Sequence, residues 1–167
     1  MNSYKASYIL NKHEIQFLLN SITDVPPSMP THHILSLFEE TETHPPEAID
    51  SLLYKKLIKK TQSGVAFEPV VGLLVKSALM SDTLWIIKCT DTTEPIFVFK
   101  AKDLYIHIKS YPHIPGAWKV SPYQDSDTLL CEFDGQTISA IKRVDKNGKQ
   151  QTQAIDENNS WIKDGEG

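Results

Sequence analysis

The first part of the chain carries hydrophobic residues at the spacing of an amphipathic helix. A strand-like run at 4–10 comes first. Asn11 and Glu14 then stand at the positions of a capping box, with Asn in place of the usual Ser or Thr. Apolar residues follow at i, i+3, i+4 and i+7: Ile15, Leu18, Leu19 and Ile22. The pattern predicts a short strand and then a helix that packs one face inward.

Three further helices are predicted in the next sixty or so positions. Residues 23–31 contain three prolines and predict a loop or linker, and residues 32–42 predict a short amphipathic helix. A longer helix is predicted from Pro46 to Lys60, because proline fits a first helical turn and cations are favoured near a helix C-terminus. The cations in question are Lys55, Lys56, Lys59 and Lys60. A polar turn around Gly64 then leads into a helix at 69–80.

The hydrophobic period then changes from helical to two. Three strands of an antiparallel meander are predicted, at 83–90, 95–100 and 103–110. The first two are almost continuously apolar, as in strands covered on both faces. The third alternates and places Tyr105, His107 and Lys109 on one face, which predicts an edge strand or a strand with one exposed side.

The C-terminal part is predicted to complete the sheet. An irregular segment is expected at 111–127, and Asn147-Gly148 is typical of a type I′ hairpin turn. Further strands are predicted at 128–134, 137–145 and 149–155. The resulting fold class is α+β, with a helical unit packed on a central antiparallel sheet. The predicted boundaries are 1–160 for a single domain, 11–82 for its helical part, 83–156 for its sheet and 157–167 for a flexible tail, in which Trp161 and Ile162 can dock.

Composition narrows the function classes. The chain has 167 residues, 40% of them hydrophobic, which suffices for one domain with a core. The net charge is −4 and Arg143 is the only arginine, which weighs against specific reading of nucleic acid. Cys89 and Cys131 lie in strand-like runs and are expected to be buried free thiols. Neither a signal peptide nor a membrane span is predicted, so a cytoplasmic location is expected.

The chain lacks a recognisable set of reactive groups. His32 and His33 would point about 100° apart on a helix, and His107 and His113 have no other ligand at zinc-binding spacing. No glycine-rich phosphate loop and no serine elbow occurs. We therefore expect no cofactor, no metal site and no catalytic residue, and predict that the protein is not an enzyme.

Two kinds of surface remain as candidates. The lysines at 55–60 suggest DNA binding by a winged helix, but the reading helix at 69–80 would carry only Lys76, and the wing at 83–100 would be apolar. The other candidate is a protein-binding surface on the 91–95 turn, the 111–123 loop and the 145–149 hairpin. Its predicted residues are Thr92, Thr93, Glu94, Tyr111, Trp118, Tyr123 and Asn147. A loop that packs on its own aromatic side chains is an equally good interpretation of 111–123.

Several segments together resemble a known family. They are NKHEIQFLL near the start, IDSLLYKKLIKK followed by a turn and PVVGLLVKSALM, and then TLWIIKC, DTTEPIFVF and LYIHIKSYP. In this order they are similar to the EspG-type chaperones of type VII (ESX) secretion, especially their shorter Gram-positive relatives of the EsaE kind. The resemblance covers roughly residues 4–115. Members of that family usually carry a second helical subdomain after the later strands, so this chain resembles a shortened member.

The resemblance implies a cytoplasmic, non-enzymatic chaperone or adaptor that binds secreted protein substrates. A homodimer is possible, because a second copy would supply the helical subdomain that this chain lacks; neither a nucleic acid nor a membrane is an expected partner. The alternatives are a winged-helix DNA-binding regulator, a module that binds a small ligand on its sheet face, and an unrecognised hydrolase.

Overall fold

The structure is a computed structural model that describes residues 7–22, 25–38, 45–102, 104–155 and 159–163. The helices are α1 (Lys12–Asn20), α2 (Met29–Phe38), α3 (Pro45–Tyr54), α4 (Pro69–Leu79), α5 (Ser126–Leu130), which a 3-10 turn (Cys131–Phe133) extends, and α6 (Ser160–Lys163). The strands are β1 (Tyr8–Asn11), β2 (Ile58–Thr61), β3 (Gly64–Phe67), β4 (Thr83–Cys89), β5 (Ile96–Lys100), β6 (Tyr105–Tyr111), β7 (Ala117–Tyr123), β8 (Ile138–Val144) and β9 (Gln150–Thr152).

A seven-stranded antiparallel sheet forms the centre, in the order β1-β7-β6-β5-β4-β8-β9. The predicted meander is confirmed for β4, β5 and β6, and β7 continues it. The first strand of the chain pairs beyond β7, with Leu10 opposite Trp118. A separate two-stranded sheet consists of β2 and β3. The fold class is α+β, as the hydrophobic pattern predicts.

Helices α1 to α4 cover the first face of the central sheet. Because side chains alternate along a strand, Phe97 and Phe99 of β5 point to this face while Ile96 and Val98 point away. The helices contribute buried residues to the same core: Ile15, Leu18, Leu19, Ile34, Phe38, Leu52, Leu74 and Leu79. This is the helical unit on the sheet that the sequence predicts.

A second layer covers the other face of the sheet. Leu129 and Phe133, from α5 and the 3-10 turn, pack there with Trp161 and Ile162 of α6. The Trp161 ring lies edge-on to that of Trp85, with 5.5 Å between the ring centroids. Within the predicted tail at 157–167 the structure describes residues 159–163, where Trp161 and Ile162 are buried as the docking expectation requires. The rest of that tail lies outside the described residues.

The capping box at the start of α1 is confirmed, and its carboxylate also fastens the helical unit together. Asn11 accepts the backbone N–H of Glu14 at 2.8 Å, and Glu14 accepts that of Asn11 at 2.9 Å. Glu14 is fully buried and also accepts hydrogen bonds from the Lys55 ammonium, at 2.8 Å, and the Ser51 hydroxyl, at 3.0 Å. Lys55 donates a further hydrogen bond to the carbonyl of Ile9 in β1, at 2.9 Å. One buried carboxylate therefore joins β1, α1 and α3.

The predicted helix from Pro46 to Lys60 is wrong in its second half. The third helix ends at Tyr54, Lys56 takes a left-handed conformation with φ 62°, and the chain turns into the β2–β3 hairpin. Burial provides the reason, since Ile58 is only 3% exposed and reaches the core from an extended backbone. Lys59 and Lys60 consequently lie on a strand and do not interact with a helix dipole.

The segment at 111–127, which is predicted to be irregular, contains β7. The third strand of the meander, β6, is predicted at an edge or with one exposed side, but it lies inside the sheet between β5 and β7. Pro122 is tolerated in β7 because β1 pairs only with Ala117–Val120, so that Pro122 lies beyond the end of β1. The predicted strand at 128–134 is instead α5 and the 3-10 turn. Asp125 caps this helix by accepting the backbone N–H of Thr128 at 2.7 Å.

The 145–149 hairpin exists, but its turn is not type I′. The left-handed residue is Gly148, with φ 84°, and Asn147 is not among the described residues with positive φ. The Asp145 carboxylate accepts the backbone N–H groups of Asn147 and Lys149, each at 2.9 Å, and holds this alternative turn. None of the described helices is both long and apolar enough to cross a membrane.

Candidate functional site

Antiparallel pairing brings three connections to one end of the central sheet. They are the β4–β5 turn, the β6–β7 turn and the segment that leads into β8, which follow or precede the paired residues Cys89, Tyr111 and Ile138. The 145–149 hairpin joins β8 to β9 and therefore lies at the opposite end. Of the three surfaces predicted from the sequence, two thus share an end and the third does not.

A pocket of about 330 Å³ opens between the β4–β5 turn and the end of β6, and we call it the turn pocket. Its lining residues are Asp91, Thr92, Thr93, Glu94, Ile96, Lys109, Ser110, Pro112 and Gln136. Three of the predicted binding residues, Thr92, Thr93 and Glu94, belong to it. Residues from three separate connections form its wall, so the pocket exists only in the folded sheet.

Backbone and hydroxyl hydrogen bonds hold the turn that forms one wall. The Thr92 hydroxyl donates to the carbonyl of Glu94 at 3.2 Å, and its backbone N–H donates to the carbonyl of Cys89 at 3.4 Å. Thr90 donates its backbone N–H to the carbonyl of Thr137 at 2.9 Å, which fastens the turn to the segment before β8. The side chains of Thr93 and Glu94 are exposed above this framework.

The buried thiol beside the pocket is not set up as a nucleophile. Cys89 is 4% exposed and donates to the side-chain oxygen of Gln136 at 3.5 Å. Burial, and then the negative charge of Asp91, raise the pKa of Cys89 above its ordinary value, and Lys109 only partly opposes them. The neutral thiol is therefore the dominant form at neutral pH, and it is the thiolate that would attack an electrophile.

The turn pocket combines charges of both signs with hydroxyl and amide groups. Asp91 and Glu94 supply carboxylates and Lys109 supplies an ammonium group, while Thr93 and Gln136 can donate or accept hydrogen bonds. Such a set can hold the polar backbone and side chains of another polypeptide. No metal-ligand set of three His, Cys, Asp or Glu side chains occurs in the described part of the chain.

The remaining predicted binding residues do not join this pocket. Tyr111 ends β6 between the lining residues Ser110 and Pro112; it is half-buried, and its ring stacks edge-on against His113 at 5.1 Å. Trp118 is 4% exposed and packs against Phe38 and Phe97 at the centre of the first face, so its prediction as a binding residue is wrong. The indole is apolar enough to serve the core, and β7 turns it inward.

Tyr123 and Asn147 lie away from the turn pocket, at the other end of the sheet. Asn147 is exposed on the far hairpin. Tyr123 is half-buried, and its hydroxyl donates a hydrogen bond to the carboxylate of Glu132 in the 3-10 turn. Burial, followed by the hydrogen bond to Glu132 and its negative charge, raises the pKa of Tyr123 far above its ordinary value of 10.0. Tyr123 therefore serves to attach the second layer to the sheet.

His107 is the central polar group under that layer. It is 1% exposed, and its ring lies 6.2 Å from Tyr123 and 5.7 Å from Phe133, both edge-on. Burial lowers the pKa of His107 from 6.5 to about 4; Glu132 opposes this shift, whereas Lys109 and Lys119 add to it. Burial alone would raise the pKa of Glu132, but the Tyr123 hydrogen bond and the nearby positive charges outweigh it and lower that pKa. At neutral pH His107 is thus neutral and Glu132 is charged.

Sequence reasoning missed Lys109 and Gln136 as pocket residues and Glu132 as a partner of Tyr123. The alternation in LYIHIKS does place His107 and Lys109 on one face, which was the available signal. Neither a comparison with models of known protein families nor a search of curated proteins gave a match for this chain.

Proposed function

We propose that the protein is a non-enzymatic adaptor or chaperone that binds another polypeptide at the turn pocket. The observation that carries the proposal is the convergence of Thr92, Thr93 and Glu94 with Lys109 and Gln136 around one recess. By its resemblance to EspG-type chaperones, the client is a secreted substrate of a type VII secretion system, bound in the cytoplasm before export.

The physical basis is a rigid frame that carries an adaptable rim. The frame consists of β4, β5 and β6, which bury apolar residues on both faces, and the rim is the exposed 91–94 turn. Binding at a preformed recess loses little conformational entropy, because the strands beneath it are already ordered. Mixed charges at the rim favour a partner with a complementary arrangement of charges and increase specificity more than affinity.

The winged-helix alternative has less support. Its reading helix, α4, buries Val71, Leu74 and Val75, and the strands of its predicted wing, β4 and β5, are interior strands of the sheet. A hairpin does follow α3, but exposed positions of α3 include Glu47 and Asp50, which would repel phosphate groups.

The test is capture of the client in the native host with matched variants. A tagged wild-type protein should co-purify a small secreted protein from the cytoplasm, and the purified pair should bind in isolation. Glu94→Lys combined with Lys109→Glu should lower that affinity by roughly tenfold or more, since both charges line the recess.

Lys146→Glu on the far hairpin is the control, because it introduces an acidic charge at an exposed site of the opposite end. Wild-type affinity of the turn-pocket variant, with unchanged melting, would show that the client does not bind at this pocket. Retention of DNA fragments by the purified protein at low salt would instead favour the regulator.

A further inference from the structure

The small β2–β3 sheet has an open edge. Among the described residues, β2 has one strand partner, β3, with Lys59 opposite Ala66 and Lys60 opposite Val65. The edge follows α3 after a turn through the left-handed Lys56. It shares no residue with the turn pocket, so binding at this edge is independent of the function proposed above.

The register determines which backbone groups of β2 point outward. Glu68 donates its backbone N–H to the carbonyl of Leu57 at 2.9 Å, so this pair is hydrogen-bonded across the hairpin. Hydrogen-bonded and non-hydrogen-bonded pairs alternate in an antiparallel ladder. Ile58 and Lys60 therefore direct their N–H and C=O groups away from β3. Lys60 is exposed, whereas Ile58 is only 3% exposed, so the outward groups of Lys60 are the docking points that an added strand requires.

A crevice runs along the same edge. It has a volume of about 580 Å³ and is lined by Leu53, Lys56, Ile58, Lys59, Lys60, Glu68 and Pro69. The consecutive residues 58–60 all line it, whereas no residue of β3 does. Leu53, Ile58 and Pro69 make part of the wall apolar, and the exposed ammonium groups of Lys56, Lys59 and Lys60 surround it. Glu68, the single carboxylate, is occupied by capping α4 through the N–H of Val71, at 3.0 Å.

From this geometry we infer that the outer edge of β2 is a docking site for an extended acidic polypeptide segment, which adds as a further strand. The outward N–H and C=O groups of Lys60 pair with the segment. Apolar side chains of the segment enter the crevice beside Leu53 and Ile58, and its carboxylates meet Lys56, Lys59 and Lys60. Tyr54, which is 88% exposed at the end of α3, is available as an additional aromatic contact.

Charge and shape favour a polypeptide over a nucleic acid. A nucleic-acid backbone requires a continuous row of basic side chains. Here Glu47 and Asp50 are exposed on α3, the helix that precedes the crevice residues 58–60 in the chain. The apolar part of the wall suits aliphatic side chains, and a strand edge offers hydrogen bonds that match a peptide backbone.

Charge also disfavours a second copy of this chain as the occupant. Two β2 edges in contact would bring the lysines of both copies together, and edge lysines are a common device against such self-pairing. An acidic segment instead turns the same lysines into attractive contacts.

The experiment measures binding of fluorescein-labelled peptides to the full chain by polarisation. The probes are a panel of acidic peptides that alternate glutamate or aspartate with valine, isoleucine or threonine, and matched peptides with lysine in place of the acids. We expect acidic peptides to bind, lysine peptides not to bind, and added salt to weaken the interaction.

Two variants of Lys60 separate the contribution of the backbone hydrogen bond from that of the side-chain charge. Lys60→Pro removes the outward N–H and leaves the ladder to β3 intact, so it should lower affinity about tenfold beyond the loss caused by Lys60→Gln. Lys146→Gln, on the far hairpin, should bind as the wild type does. Circular dichroism of Lys60→Pro checks that the fold is kept; if it is not, a peptide with an N-methylated central residue tests the same hydrogen bonds.

Failure of every acidic peptide to bind at about 1 mM would overturn the inference. Equal binding by Lys60→Pro and Lys60→Gln would show that charge alone acts. Tighter binding of single-stranded DNA than of any peptide would identify nucleic acid as the ligand. A wild-type dimer that becomes a monomer in the Lys60→Pro variant would identify a second copy of the chain as the occupant. Variants of the turn pocket should leave peptide binding unchanged, so the two proposals can fail separately.

Discussion

The two faces of the central sheet are covered in different ways. Helices α1 to α4 cover the first face with a contiguous apolar core. The buried Glu14 and Thr31 have hydrogen-bond partners there, and Oε1 of the buried Gln16 is the side-chain oxygen of α1 that has none among the described residues. The second face is covered by the short α5, a 3-10 turn and α6. There the ring nitrogens of Trp85 (Nε1), His107 (Nε2) and Trp161 (Nε1) have no hydrogen-bond partner among the described residues.

The contrast between the faces implies that the second layer depends on a few large side chains. A buried polar group without a partner loses its hydration and gains nothing in return. The aromatic contacts of Trp161 with Trp85 and Phe133, and the Tyr123–Glu132 hydrogen bond, must offset that cost. We therefore expect the second face to be the more sensitive to single substitutions and to pH.

The largest effect should come from removing the ring of Trp161. It is 1% exposed, so Trp161→Ala should lower the free energy of unfolding by about 4 kcal/mol, which urea denaturation can measure. Trp161→Phe keeps an aromatic ring and should lose clearly less. A loss below about 1 kcal/mol for the alanine variant would mean that the second layer adds little to stability.

The next effect is a pH dependence that His107 confers. Its pKa is about 4 in the folded chain and 6.5 ordinarily, so between these values the unfolded chain binds a proton that the folded chain does not. The contribution of His107 to the free energy of unfolding is therefore at its maximum above pH 6.5. It decreases as the pH drops from 6.5 towards 4. A pKa difference of this size corresponds to about 3 kcal/mol.

His107→Phe removes the titrating group and should flatten this part of the stability profile. Glu132 does not mask the effect, because its lowered pKa places its own loss of stability below its ordinary 4.5. Thermal unfolding of both proteins between about pH 7 and pH 4.5 provides the measurement. Parallel profiles would show that His107 is not the source.

The smallest effect concerns packing, and it should have opposite signs on the two faces. A cavity of about 60 Å³ lies in the first core, lined by Val75, Leu74 and Phe99 among others. Val75→Ile adds one carbon to this space and should raise the free energy of unfolding by about 0.5 to 1 kcal/mol.

Val98 is the matched position on the second face, fully buried in the other core. Val98→Ile should lower the free energy of unfolding by about 1 to 3 kcal/mol, because the added carbon forces the surrounding side chains apart. Changes of the same sign in both variants, measured by urea denaturation, would contradict the packing difference between the faces.

Local signals predicted the first face better than the second. The capping box at Asn11 and Glu14 and the helix start at Pro69 need only residues a few positions apart, and both are confirmed. The helix expected through Lys60 failed because burial of Ile58 in the tertiary core outweighed local helix propensity. Trp118 was misplaced for the same reason, since only the pairing of β7 with β6 and β1 turns it inward.

The candidate site was predicted in part. The 91–95 turn follows from its polar sequence, and it does line a pocket. Lys109 and Gln136 could not be found in the same way, because their approach to that turn depends on strand register across the sheet. The second layer was not predicted, because the sequence of residues 128–134 predicts a strand. Asp125, which caps α5, was the local signal for a helix at this position.

The pairing of β1 with β7 affects the order in which the fold is completed during synthesis. Ser7 hydrogen-bonds to Ser121, 114 positions later, so β1 has no strand partner until β7 has been synthesised. Until then the capping box can hold the first turn of α1, but its apolar residues lack the strands on which they pack. Closing so long a loop is slow relative to local structure. Completion of the sheet therefore waits for β7, and until then β1 lacks its strand partner.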